Sequence, residues 1–177
     1  MRDAEFVLEG SPEPGVSFSG LHADERLGSL VRFRTGGGQT IARFAGYVDS
    51  PLVAHEILEW RSREAILVVS YGQAYLCSVA GGALVAKELD VRPATSLALA
   101  PDGAVVIADF TCLHKFAPDG SREWISDRVS YDGIQALAIH GDRCALEGWD
   151  APGRRFVPVE VDLTTGRATG SPHHSAR

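Results

Sequence analysis

The chain of 177 residues contains no asparagine, one methionine at its first position, and only two lysines, Lys87 and Lys115, among 17 basic residues. Without asparagine, that side-chain amide is missing from any ligand set. The three cysteines form no CxxC pair and are an odd number, which excludes a disulfide scaffold and suits a reducing compartment. No apolar run approaches the ~20 residues that cross a bilayer as a helix. The opening Met-Arg-Asp-Ala-Glu-Phe puts acids where a signal peptide needs a basic start and an apolar core. These absences lead to the expectation of a cytoplasmic protein that does not bind membranes. Basic residues are also outnumbered, 17 against 23 acidic, for a net charge of −6. Such a chain repels phosphate overall and is a poor candidate for binding nucleic acid. The preference for arginine over lysine, with abundant alanine, glycine and valine, reads as the coding bias of a GC-rich genome of bacterial type.

Turn signals, by contrast, are abundant and evenly placed. They fall at Gly36-Gly37-Gly38, Tyr71-Gly72, Gly81-Gly82, Pro101-Asp102-Gly103, Pro118-Asp119-Gly120, Gly141-Asp142, Pro152-Gly153 and Thr164-Thr165-Gly166. Glycine supplies positive φ and proline presets a corner, so these are tight turns. Between them lie apolar runs of strand length. Val31 and Phe33 alternate with Arg32 and Arg34; Leu137 and Ile139 fall together; Val157, Val159, Val161 and Leu163 alternate with Pro158, Glu160 and Asp162. Period two marks a sheet with one buried face. Residues 65–70 and 104–108 are apolar on both faces and read as central strands.

Residues 51–60 are ambiguous. Ser50-Pro51 could open a helix with Val53, Ile57 and Trp60 on one stripe. The strands on either side favour a strand over 53–60 instead. Residues 1–27, with Pro12, Pro14, Gly10, Gly15 and Gly20, read as an irregular lead-in holding one strand near Phe6–Leu8. A single β domain is expected over 28–170, followed by a mobile tail at 171–177.

A repeat is also visible. Leu97-Ala98-Leu99-Ala100-Pro101-Asp102 aligns without gaps on Leu137-Ala138-Ile139-His140-Gly141-Asp142, and a weaker copy runs from Ala65 through Gly82. Each copy reads as four short strands in ~40 residues, a unit that must stack on a neighbour to bury its faces. The fold class is therefore all-β, built of repeated antiparallel four-stranded meanders and propeller-like.

The stretch from Ser96 through Pro101-Asp102-Gly103, Val106-Ile107-Ala108-Asp109 and Pro118-Asp119-Gly120 resembles a blade of the NHL and gluconolactonase-like (senescence-marker-protein) β-propellers. Asp132-Gly133-Ile134 through Gly166 is similar to the blade that follows. The resemblance implies stacked four-stranded blades. A full six-bladed ring needs roughly 240 residues or more, so this chain has room for a small or partial ring. The resemblance also implies a divalent cation at the channel mouth, Ca²⁺ or another hard ion, held by a Glu, an Asn and an Asp. Asp132 matches the Asp by position. The Asn has no counterpart, and Leu8-Glu9-Gly10-Ser11-Pro12 only echoes the Glu motif.

Other chemistry is sparse. Cys112 and His114, and His140 and Cys144, could be assembled into a zinc site, yet neither pair forms a knuckle of the usual spacing. His173-His174 lie in the tail. No Gly-x-Ser-x-Gly elbow occurs, and the glycine triplet at 36–38 lacks the lysine of a phosphate-binding loop. Trp60, Trp124 and Trp149 stand near strand ends beside charged residues, which is the make-up of an interface anchor, although tryptophan also fills the space between stacked sheets. The leading expectation is a protein-binding module without enzymatic activity or cofactor, using Trp124, Trp149, Asp109 and Asp150. Its partner would be another protein, of basic character, as for an immunity-type protein that neutralises a toxin by occlusion. The alternative is a degenerate sugar-lactone hydrolase with its metal near Asp132, joined by Asp109 or Glu147. Self-assembly into a homo-oligomeric ring is a third expectation.

Overall fold

A computed structural model describes residues 3–7, 14–20, 23–35, 38–60 and 64–172. Among them there is no helix, and sixteen strands form four sheets of four. The chain divides into two compact units, Met1–Pro93 and Ala94–Arg177, a division the sequence reading did not draw.

In the first unit, sheet A holds β1 (Asp3–Val7), β2 (Val16–Phe18), β3 (Asp24–Thr35) and β4 (Gly38–Gly46) in the order β1-β3-β4-β2. Residues 1–27 are therefore not simply an irregular lead-in: they carry two strands and the start of a third. Nor is sheet A an antiparallel meander, because β2 joins β4 in parallel. Its register sets Val16 beside Ala42 and Phe18 beside Phe44, with the two rings 5.2 Å apart. Burying these side chains favours the pairing. Leu8, Glu9 and the two glycines Gly36 and Gly37 lie outside the described residues.

Sheet B is a meander of β5 (Glu56–Trp60), β6 (Ala65–Ser70), β7 (Gln73–Ala80) and β8 (Ala83–Glu88). Residues 51–60 are thus not a helix, and the strand starts at Glu56 rather than at 53. Ser50 closes a single turn before it, its Oγ accepting from Leu52 N–H and its carbonyl from Val53 N–H. The A–B core is aromatic. Phe33, Phe44 and Tyr75 meet at centroid distances of 5.8 and 5.2 Å, among Val31, Ile66, Val68 and Cys77. Each such ring contributes about 2–3 kcal/mol through burial. Arg32 and Arg34 alternate with the core residues and pair on the opposite face with Glu5 and Asp3. Two buried polar links join the sheets. The Ser29 and Ser70 hydroxyls lie 2.8 Å apart, and Ser70 Oγ donates to the Phe44 carbonyl; Tyr75 Oη donates to the Ala45 carbonyl at 2.8 Å.

The second unit contains two meanders. Sheet C comprises β9 (Ser96–Leu99), β10 (Val105–Ala108), β11 (Leu113–Phe116) and β12 (Arg122–Ile125). Sheet D comprises β13 (Ile134–His140), β14 (Arg143–Asp150), β15 (Arg155–Asp162) and β16 (Ala168–Thr169). The central strands β6 and β10 are buried along their whole length, as their unbroken apolar runs predict. Turns 101–103 and 118–120 share one construction. The aspartate Oδ1 accepts the N–H two residues on (Ala104, Ser121), and the glycine adopts φ of 82° and 77°. The gapless repeat ends at this turn. Gly141-Asp142 closes β13–β14 with two residues, His140 pairing Arg143, where the first copy uses three.

The C–D core is aliphatic, with Val106, Leu113, Cys144, Leu146, Val159 and Val161 at its centre and Leu137 and Ile139 packed against it. Its polar link is charged. Lys115, with a side chain only 6% exposed, places Nζ 2.7 Å from Asp102 Oδ2, 3.0 Å from Glu123 Oε2 and 3.2 Å from the Leu163 carbonyl. Trp124 Nε1 donates to the same carbonyl at 3.1 Å. Burial alone would lower the Lys115 pKa, but the bonds to Asp102 and Glu123 outweigh it and raise it.

Candidate functional site

The hairpin β14–β15 sets Trp149 opposite Phe156 and Asp150 opposite Arg155. Cys144 and Leu146 face the core, so strand alternation turns Trp149 and Phe156 to the other side of sheet D. There the two rings form an edge-to-face pair with centroids 5.2 Å apart. Phe156 is 39% exposed, and Trp149 is partly so. The backbone of Trp149 is fixed on both sides. Its N–H donates to the Gly133 carbonyl and to Ser130 Oγ, and its carbonyl accepts from Tyr131 N–H. Ser130 Oγ in turn donates to the Gly133 carbonyl at 2.6 Å.

The same 128–133 loop brings up two further recognition residues. Arg128 lies over the Tyr131 ring, 5.7 Å from its centroid, and donates to the carbonyls of Ser130 and Tyr131. An exposed arginine, a tyrosine, a tryptophan and a phenylalanine are thus presented on backbone held by hydrogen bonds. Rigid rings lose little conformational freedom on binding, and such residues supply most hot spots at protein interfaces. Sequence reasoning singled out Trp149 but missed Phe156, Tyr131 and Arg128. The Pro152-Gly153 turn held the clue to Phe156, since a four-residue loop over 151–154 makes 149 and 156 neighbours across the hairpin. Nothing local in the sequence announces the Arg128–Tyr131 stack.

The other expected residues are placed apart from this pair or engaged elsewhere. Trp124 packs against the C–D core and under Gly166, near the Leu163 end of β15. Phe156 and Leu163 are seven residues apart along this inner strand and its continuation, roughly 23 Å at 3.3 Å per residue, so Trp124 and Trp149 do not share a surface patch. Trp60 is fully buried. Asp150 stands at the hairpin tip, its carboxylate so close over the loop that a Cβ on Gly153 would lie 2.3 Å from Oδ2. Asp109 organises the β10–β11 connection. Its Oδ1 accepts from the Thr111 and Cys112 N–H groups and from Thr111 Oγ1, while Oδ2 lies 2.9 Å from His114 Nε2. Burial pushes the Asp109 pKa up, yet these donors prevail and lower it.

The metal chemistry expected by resemblance does not fit the residues. Asp132 is exposed. Asp109, offered as its co-ligand, has both oxygens engaged, and Glu147 Oε2 accepts from Gln135 Nε2 at 2.7 Å. Among the described residues no group of three or more His, Cys, Asp or Glu is placed to hold a metal. The zinc pairings fail on geometry. Cys112 lies in the turn before β11, with its N–H on Asp109. Ile139 pairs Cys144 and packs with it on the core, so His140, one residue on, faces the other way. Cys77, Cys112 and Cys144 are free thiols; burial raises the pKa of each, that of Cys144 to about 11. A thiol kept protonated is a weak nucleophile and a poor metal ligand. Glu9, His173 and His174 lie outside the described residues, and no described helix is long and apolar enough to cross a membrane. No protein-family model matches this chain, and no curated protein sequence matches it either.

Proposed function

We propose that the chain is a protein-binding module without enzymatic activity, and that its partner docks on the open face of sheet D around Trp149 and Phe156. The observation that carries this reading is the partly exposed edge-to-face pair, locked in place by the Ser130, Tyr131 and Gly133 backbone bonds. Arg128 and Tyr131 stand in the loop that holds the Trp149 backbone. The net charge of −6 favours a basic partner, since long-range attraction speeds encounter. Occlusion of a basic toxin, as by an immunity-type protein, is the form of the reading that size and charge suggest. Sheets B, C and D are four-stranded antiparallel meanders, as propeller blades are, which favours a propeller-like scaffold; sheet A, with its parallel β2, departs from that pattern.

The test compares two baits in native lysate: the wild-type chain and Trp149→Ala/Phe156→Ala. The expected result is one stoichiometric basic protein that binds the wild type, weakens with salt, and binds the double variant at least ~30-fold less, since even one hot-spot truncation costs about 2 kcal/mol or more. Equal capture by both baits, or no stoichiometric protein on either, would overturn the reading. A second copy of the chain as the captured species would replace it with self-assembly.

A further inference from the structure

A sheet edge presents a row of unpaired N–H and C=O groups, and proteins guard such edges with short strands, charges, bulges or cover. Most edges in this chain are guarded. β1 lies against β5, and β9 against β13. β16 has two residues and β2 three. β12 carries Arg122 and Glu123 and shifts register against β11. β8 is the exception. It is an edge strand of sheet B, six residues long without proline or bulge, and Ala83-Leu84-Val85-Ala86 is wholly apolar. Ala83 is exposed, and Val85 is 41% exposed.

The hairpin fixes which backbone groups point outward. Gly81 and Gly82 form a two-residue turn with φ of 58° and 81°, so Ala80 and Ala83 are the hydrogen-bonded pair that closes it. Alternation then directs the N–H and C=O of Ala83, Val85 and Lys87 to β7. Leu89 N–H keeps the same phase, donating to the Ala74 carbonyl at 2.9 Å. The N–H and C=O of Leu84 and Ala86 therefore face away from β7, and among the described residues nothing bonds them. The side chains of Leu84 and Ala86 pack on the A–B core, whereas Val85 and Lys87 project from the opposite face.

We propose that β8 pairs with β8 of a second copy of this chain, antiparallel about a two-fold axis through Val85. An axis normal to the sheet keeps each face on its own side, so residues of like parity must meet. In this register Leu84 exchanges both its backbone bonds with Ala86 of the second copy, and Ala86 with Leu84, so every outward group of these residues is satisfied. Val85 meets Val85 of the second copy as a non-hydrogen-bonded pair, with Cα atoms about 4.5 Å apart, which covers its exposed side chain. The charges select the same alignment. It holds the two Lys87 residues roughly 13 Å apart along the strands. A parallel alignment would set them about 4.8 Å apart, and a shift of two residues toward Glu88 about 7 Å apart. The opposite shift pairs Ala86 with Gly82 in the turn and loses half of the bonds. A strand pair of this length covers little area, so the dimer is a weak one.

The full chain is followed by sedimentation equilibrium from about 10 μM to about 1 mM, and a dimer with Kd of about 100 μM is expected. The Leu84 and Ala86 amides should exchange freely when dilute and gain protection as the dimer fills, while the Val85 and Lys87 amides, bonded to β7, are protected throughout. Val85→Lys sets like charges directly across the axis and should weaken the dimer at least ~10-fold. Its melting temperature when dilute should match the wild type, since an exposed edge position tolerates lysine. Ala86→Pro removes an outward N–H and should also weaken the dimer. Trp149→Ala/Phe156→Ala should leave it intact, because the proposal is independent of docking at sheet D. A monomer up to about 1 mM, a dimer unmoved by Val85→Lys, Leu84 and Ala86 exchange that ignores concentration, or a dimer lost in the sheet D variant overturns the proposal.

Discussion

The two units solve one packing problem with different materials. In each, a four-stranded sheet lays one apolar face on a neighbour, and the equivalent strands supply it. In sheet B the face comprises Ile57, then Ile66 and Val68, then Tyr75 and Cys77, then Leu84 and Ala86. In sheet D it comprises Leu137 and Ile139, then Cys144 and Leu146, then Val159 and Val161, then Ala168. The materials differ at the centre and at the polar links. The A–B core is built on Phe33, Phe44 and Tyr75 and is joined by neutral hydroxyls. The C–D core is aliphatic and is joined by the Lys115 ammonium between two carboxylates. Aromatic packing and neutral bonds are indifferent to acid, whereas an ammonium clamp is not.

The largest expected difference is in the cores. Phe44→Ala opens a hole beside three rings and should cost the first unit about 3–5 kcal/mol, against about 2–4 for Leu146→Ala in the second, read by denaturant melts of each variant. A smaller loss in Phe44→Ala than in Leu146→Ala would break the contrast.

Next come the polar links. Tyr75→Phe removes a buried hydroxyl that serves Ala45 O and Gly20 N and should cost about 1–2 kcal/mol, unaffected by salt. Lys115→Met keeps the stem and frees two partly solvated carboxylates, so its cost should be about 0–1 kcal/mol. Lys115→Ala also loses the packing and should cost about 2 kcal/mol. Melting curves at low and high salt check the order.

The units should also answer differently to pH. Asp102 and Asp109 have folded pKa values below their ordinary 3.8. Burial opposes this in both, and the hydrogen bonds from Lys115 and His114 overcome it. Their stabilisation is complete above 3.8 and is lost as pH falls through the folded values. In the first unit, Glu56 is shifted up by burial, so its protonation favours the fold. His55 is shifted down, so this unit loses a little stability as pH falls below 6.5 and none further once the folded pKa is passed. Asp24 is held at about 2 by Arg26, but the pair lies at the surface, with the Arg26 side chain 90% exposed, and counts for little. The smallest effect should be that of Arg34→Ala on the outer ion pairs of sheet A, within about 0.5 kcal/mol by thermal melting.

Much of the architecture is legible in the sequence because it rests on local rules. The Pro-Asp-Gly turns place their own glycines and carboxylates, and alternation sends Val31 and Phe33 inward and Arg32 and Arg34 outward. What is not legible depends on distant pairings. The parallel insertion of β2 beside β4 follows from where Val16 and Phe18 find room, and the fragment itself carries no signal of it. Lys115 reads as a surface residue, since only the tertiary fold brings Asp102, Glu123 and Leu163 around it. The ring stack of Phe6, His55 and Tyr71 draws on three separate elements and has no motif. Trp149 is visible as a residue type, and its exposure beside Phe156 is visible only through the hairpin register.

The most direct test of the difference between the units is native-state amide exchange, comparing opening free energies in β11 and β15 with those in β4 and β7 at neutral pH and at about pH 3. The account predicts that β11 and β15 lose more protection at the lower pH than β4 and β7 do, because Asp102 and Asp109 are stabilised as carboxylates in the fold. Equal losses in both units, or an earlier loss in β4 and β7, would contradict it.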